Sequence, residues 1–238
     1  MSSSYNPGRL AGWLYLLMAI TGAFSVLYVP GTLIVSGDAS ATGANILRSE
    51  TLFRVGIVSE LAAAVIFIFV VTILYRLLRE VNQTQASLMV ILALISVTIA
   101  FVIVLSEFAA LELFQGADFL SVIDKPQREA MAMLFLDLHR YGFVINGIFW
   151  GLWLFPFGLL VMRSGFFPRV LGVLLIIACF AYLSSSLTEL LAPGYAHVVG
   201  RVANLAEAAG ELSIMFWLLI KGANPKPLTA PLPSATAR

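Results

Sequence analysis

Leu88-Met89-Val90-Ile91-Leu92-Ala93-Leu94-Ile95-Ser96-Val97-Thr98-Ile99-Ala100-Phe101-Val102-Ile103-Val104-Leu105 carries no charge anywhere along its length. A helix needs about 20 predominantly apolar residues to cross the hydrocarbon of a bilayer. With its flanks this run reaches that length, so a transmembrane helix is expected over 86–112. Working outward, the same reading places helices at 10–34, 52–77, 132–162, 169–190 and 199–220. The expected fold class is therefore all-α, a polytopic membrane bundle of six transmembrane helices. Composition agrees: 60% of the residues are hydrophobic and 11% are charged, against roughly 25% charged in a soluble domain. The fourth span is longer than a straight crossing needs, and Pro156 is expected to kink it.

Charge gives a direction. Arg9, Arg76, Arg79, Arg163, Arg169, Lys221, Lys226 and Arg238 would share one side, with Glu80 as the acid among them. The opposite side holds Arg48, Lys125 and Arg128 among many acids. The positive-inside rule then puts both termini in the cytoplasm, for a multi-pass protein of the plasma membrane. The apolar core from about Leu10 to Val35 exceeds the ~7–15 residues of a secretory signal, so a retained first helix is expected. Residues 1–222 read as a six-helix transmembrane domain and 223–238 as a disordered cytoplasmic tail rich in proline and small residues. The connection at 35–51 is rich in Ser, Gly and Ala and is expected to be a loop. That at 113–131 reads as a loop packed on its neighbours. A net charge of +1, with no long basic tract and no base-reading motif, gives no reason to invoke nucleic acid, and none is expected as a partner. Cys179, the single cysteine, has apolar neighbours and reads as inert packing.

Carboxylates interrupt this apolar pattern. Glu60, Glu107, Glu207 and Glu211 fall within or at the edge of the spans. Charge in hydrocarbon is costly, and such groups face a bundle interior or a watery cavity. At ~1.5 Å per residue, Glu211 lies about 15 Å from Lys221, near the bilayer centre. Glu207 lies one turn further out, Glu60 is in the outer half, and Glu107 is near the outer boundary. Asp137, His139 and Arg140 open the fourth span. The polar residues thus gather toward the outside, as an outward-facing polar pocket requires. The competing reading is a structural clamp in which Glu60 pairs with Arg201 and Glu207 with Arg54. A parallel repeat would relate those pairs: Arg54 precedes Glu60, and Arg201 precedes Glu207, by the same six positions.

The chemistry these residues offer is broad. Glu60, Glu207, Glu211, His139, Arg54 and Arg201 form the candidate ligand-binding set. His139 and carboxylates are acceptable zinc ligands, yet no HExxH, histidine cluster or thiolate pair accompanies them, so no metal site is assigned. Asp137 and His139, two positions apart, do not share a helix face. His139 with His197 is a poor basis for a haem, and Ser184-Ser185-Ser186 lacks the GxSxG of a nucleophile elbow. Gly147 and Gly151 have the spacing that lets membrane helices approach closely.

Ala11-Gly12-Trp13-Leu14-Tyr15-Leu16, Tyr28-Val29-Pro30, Leu52-Phe53-Arg54-Val55-Gly56-Ile57, Gly116-Ala117-Asp118-Phe119, the run Phe149–Gly158 and Phe167-Pro168-Arg169-Val170-Leu171-Gly172 together carry a resemblance. The chain resembles the bacterial integral-membrane family catalogued as domain of unknown function 4386, over nearly all its length to Gly222. The resemblance implies a multi-helix membrane protein and supplies no activity, cofactor or catalytic residue. The functional expectation is an integral membrane protein that binds a small ligand or cation in an outward-facing polar pocket. The alternatives are a membrane-embedded hydrolase using the carboxylate and histidine cluster, and a structural or sensory protein without ligand chemistry. Expected partners are membrane lipid, a small ligand and a second copy of the chain.

Overall fold

The structure, a computed structural model, describes residues 6–223. The expected tail lies outside the described residues from position 224 on. Of the described residues 88% are helical, and no strand occurs among them. The first span comprises α1 (Pro7–Ala23), a π turn (Phe24–Tyr28) and α2 (Val29–Leu33). Next come α3 (Ala39–Arg48), α4 (Glu50–Leu78), α5 (Gln83–Gln115), α6 (Lys125–Arg163), α7 (Arg169–Leu191) and α8 (Ala196–Ile220). Among the described residues six helices are long and apolar enough to cross a membrane, so this is a multi-pass membrane protein.

Local chemistry sets the helix ends. Asn6, Asp38, Asn82 and Asp124 each accept a bond from the backbone N–H three residues on, satisfying a donor that a helix start leaves orphaned. Gly116 adopts φ +70° and closes α5, a backbone that glycine takes without penalty. Pro156 is buried within α6, which continues past it.

The 35–51 connection differs from expectation: α3 occupies most of it. Ala39, Ala41 and Ala44 are strong helix formers, and Asp38 Oδ1 caps them through Ala41 N–H at 2.8 Å. Thr42 and Ile46, one turn apart, are both fully buried. Thr42 Oγ1 accepts from Val35 N–H at 2.9 Å, which ties α3 to the end of α2. The 113–131 connection is shorter than expected. It reduces to a 3-10 turn at Asp118–Leu120 and its flanks, because α5 and α6 extend into it. Leu120 packs inward, whereas Phe119 and Val122 are 74% and 89% exposed.

Each spanning helix packs on its predecessor and successor, and α1 packs on α8, so the six close into a ring in chain order. Two separate apolar cores fill that ring. One lies toward α3 and includes Leu33, Ile46, Phe53, Ile57, Leu111, Phe114 and Leu136. The other fills the end that carries the arginines, with Phe67, Leu74, Trp153, Phe157, Leu160 and Leu218 among its members. Trp153 stacks on Phe157 at 5.3 Å and meets Phe67 edge-on at 5.0 Å.

Glycines set the helix spacing. A Cβ on Gly151 would lie 2.8 Å from Cys179 O, and one on Gly158 would lie 2.7 Å from Gly172 O. The α6–α7 seam therefore uses the close approach expected of Gly147 and Gly151. A second pair at the same spacing, Gly8 and Gly12, brings α1 against the end of α8, where a Cβ on Gly12 would lie 2.5 Å from Leu219 N. Gly151→Leu is expected to overpack the seam at a cost of about 1–3 kcal/mol. Cys179, 2% exposed, reports on it: a thiol-reactive dye should label the variant at a lower temperature than the parent. Gly200→Leu, with open space around it, should leave the labelling temperature unchanged.

Candidate functional site

Between the two apolar cores lies a polar layer. Its first cluster joins α4, α5 and α6. His139 Nε2 lies 3.2 Å from Glu60 Oε2 and 3.7 Å from Glu107 Oε2. One ligand atom from each of the three side chains can be chosen so that all lie within 4.8 Å of one another. Glu60 is buried, and the side chains of Glu107 and His139 keep only 12% and 15% of their surface. Glu60 Oε1 and Glu107 Oε2 are buried without a hydrogen-bond partner. No lysine or arginine pairs with either carboxylate among the described residues.

The second cluster lies across the ring on α8. Tyr15 of α1 donates its hydroxyl to Glu211 Oε2 at 2.6 Å, and Tyr182 of α7 donates to Glu211 Oε1 at 2.6 Å. One carboxylate thereby ties three helices. Glu207, one turn away on the same face, keeps Oε1 buried and unpartnered. Rings connect the clusters: His139 meets Phe143 edge-on at 5.0 Å, Phe143 lies 5.5 Å from Trp150, and Trp150 lies 6.1 Å from Tyr182. Asn146 sits on the same α6 face, fully buried, and neither of its amide atoms has a partner.

The six residues singled out from sequence thus divide. Glu60 and His139 meet, while Glu207 and Glu211 neighbour each other in a different part of the layer. Arg54 is surface-exposed and pairs with Glu50 at 2.6 Å, and Arg201 is exposed. The clamp in which Glu60 joins Arg201 and Glu207 joins Arg54 does not form, because Arg54 is paired with Glu50, Arg201 is exposed and Glu60 is taken by His139. Asp137 faces away from His139 and pairs with Arg140 at 3.6 Å, and Arg140 bonds Glu189 at 2.6 Å. The histidine is thereby left without a cationic neighbour. Glu107, Tyr15, Tyr182 and Asn146 complete the layer. Glu107 carried a signal in the sequence, as a carboxylate in an apolar span, but the two tyrosines and the asparagine carried none. Hollows of about 640 and 340 Å3 lie elsewhere, lined by residues such as Arg163 with Arg169 and Trp217 with Lys221.

If the tyrosines hold Glu211, Tyr182→Phe and Tyr15→Phe should each destabilise the bundle by about 1–3 kcal/mol, the range for a hydrogen bond to a charged or buried acceptor. Unfolding midpoints in detergent check this. The double variant should fall short of additivity, since both bonds end on one carboxylate.

Over 75 residues, 32% of the chain, it is 40% identical to an uncharacterized protein of Archaeoglobus fulgidus, and the match spans 43% of that relative's length. No solved structure matches the chain. A family model described as Domain of unknown function (DUF4386) matches residues 10–222, and the chain belongs to that family.

Proposed function

We propose that the protein binds a divalent transition-metal cation through Glu60, Glu107 and His139, in the half of the membrane nearer α3. The observation that carries this reading is the convergence of two carboxylates and one imidazole with no lysine or arginine paired to them among the described residues. With both carboxylates ionised beside a neutral imidazole, two negative charges would share a low-dielectric site, and an ion of charge +2 would balance them. Ligand atoms held at ~2.0–2.1 Å from zinc stand roughly 3.3 Å apart around a tetrahedron. The 3.2 and 3.7 Å separations are near that value. Mixed nitrogen and carboxylate ligation suits zinc and its neighbours. Of the six residues expected from sequence this reading uses Glu60 and His139, and it adds Glu107.

A second reading rests on the ligand count. Three protein ligands leave a position for water, as in hydrolytic zinc centres, which supports a membrane-embedded hydrolase built on the same trio. The membrane orientation belongs to the proposal as well. Arg9, Arg76, Arg79, Arg163, Arg169 and Lys221 gather at one end of the ring, so we place both termini in the cytoplasm and the trio toward the outer face of the plasma membrane. Fusion of a periplasm-dependent reporter to either terminus should then give no signal.

Calorimetric titration of the purified protein with Zn2+ or Mn2+ tests the site. One saturable site is expected, weakened at least about tenfold by Glu60→Gln, Glu107→Gln or His139→Ala. Absence of saturable binding, or binding indifferent to all three substitutions, would overturn the metal reading and leave the trio as a structural junction. Metal-dependent ester or amide cleavage lost in the same variants would favour the hydrolase.

A further inference from the structure

The larger of the two hollows, about 640 Å3, lies at the end of the ring that carries the arginines. Leu159, Met162 and Arg163 of α6, Gly165 and Phe167 of the α6–α7 turn, and Arg169 of α7 line it. Its volume is within the range of about 300–1,000 Å3 usual for small-molecule sites. The turn that walls it is fixed. Ser164 Oγ donates to Val161 O at 2.8 Å and accepts from Phe167 N–H at 3.3 Å. Phe167, 5% exposed, anchors the turn in the apolar core. Gly165 adopts φ +73°, and a Cβ there would meet nothing within 4 Å, so the hollow stays open on the side of the turn.

Two positive charges border this hollow without a counter-charge. Neither Arg163 nor Arg169 pairs with a carboxylate among the described residues. The sequence gives the reason: residues 141–188 include no Asp or Glu, and none follows Glu211. Glu80, the acid expected at this end, pairs with Arg79 at 3.3 Å. Two guanidinium groups on one hollow attract an anion, and their planar forks match phosphate oxygens. The start of α7 has no side-chain cap, which adds the positive end of a helix to the same rim. The rest of the lining is apolar. Leu159 precedes Arg163 by one turn on the same face of α6, about 6 Å further into the membrane. Met162 adjoins it, and both are half-buried. The hollow is therefore cationic toward water and apolar toward hydrocarbon.

We propose that this hollow binds one anionic phospholipid, with the phosphodiester at Arg163 and Arg169 and the first acyl carbons against Leu159 and Met162. Basic pockets between membrane helices recognise lipid head groups in this way. The apolar wall favours a lipid over free phosphate. The lack of a carboxylate favours a net negative head group over a zwitterionic one, whose ammonium would meet two arginines and no acid. Other arginines at this end are engaged differently: Arg9 donates to Ile220 O at 3.0 Å, and Arg79 pairs with Glu80. A lipid seated here touches both α6 and α7 and clasps their connection. The site shares no residue with Glu60, Glu107 and His139, so it stands independently of the metal reading.

Native mass spectrometry of the intact, detergent-purified protein tests it, with phosphatidylglycerol or phosphatidylcholine of matched acyl chains added. The parent should retain one phosphatidylglycerol, about tenfold more readily than phosphatidylcholine. Arg163→Gln with Arg169→Gln should lower that retention about tenfold, whereas Arg76→Gln with Arg79→Gln, which removes the same charge from the same end, should lower it less than about twofold. An unchanged labelling temperature at Cys179 certifies that each double variant is folded. Equal retention of the two lipids by the parent would overturn the proposal, and so would equal losses in the two double variants. Displacement of phosphatidylglycerol by inorganic phosphate at equal concentration would also overturn it, by showing a free anion to be the ligand. The comparison of lipids in the parent needs no variant, so it decides even if a double variant fails to fold.

Discussion

Four carboxylates held within a membrane-spanning bundle, Glu60 buried and Glu107, Glu207 and Glu211 partly so, are the constraint around which this protein is arranged. Each needs a donor, a counter-charge or water, and hydrocarbon offers none of these. The bundle responds by segregation. Glu60, Glu107, Glu207 and Glu211 share one layer with His139, Tyr15, Tyr182 and Asn146, and two apolar cores seal that layer on both sides. Where the layer supplies its own donors, as the two tyrosines do for Glu211, helices α1, α7 and α8 are joined by one side chain. Where it does not, at the trio and at Asn146, buried polar atoms remain without a hydrogen-bond partner.

Closing a ring around such a layer requires helices that approach closely elsewhere. In membranes no hydrophobic force draws helices together, so packing between small residues does much of that work. Gly151 and Gly158 let α6 meet α7, Gly210 lets α8 meet α7 near Leu174, and Gly8 with Gly12 lets α1 meet α8. Arg9, which donates to Ile220 O at 3.0 Å, and Asn6, which accepts from Ala223 N–H at 3.2 Å, fasten that last seam at its end. Polar side chains placed near mid-membrane thus depend on glycines up to several turns away.

Much of this was legible in the sequence. The six spans follow from hydropathy, and their bounds differ from those of the helices by a few residues at most ends. The start of the fourth span was the exception, because Lys125 to Met131 is polar yet continues the helix beyond the apolar stretch. The inward position of Glu60, Glu207 and Glu211 follows from the cost of charge in lipid. What the linear pattern lacks is partnership. Glu60 and His139 are 79 positions apart, and nothing in composition tells Glu107 to join them rather than Glu112. Tyr15 and Tyr182 look like ordinary interfacial or core aromatics until the ring closes. The helix α3 was hidden for a different reason: Ser, Gly and Ala read as loop, whereas alanine with an aspartate cap forms a helix once a buried face rewards it.

The π turn at Phe24–Tyr28 gives the first span a further property. One surplus residue in a helical turn rotates everything beyond it by about 100° relative to an unbroken helix. The half before the turn presents Gly12 and Tyr15 to α8, and the half beyond it presents Val29 to Gly56 of α4 and Leu33 to the core beneath α3. The first span is thus two helical segments set at different azimuths and joined by a fixed change of register. Each segment serves one of the two apolar cores, so the halves of this helix can diverge in sequence under separate packing demands while sharing a single membrane crossing.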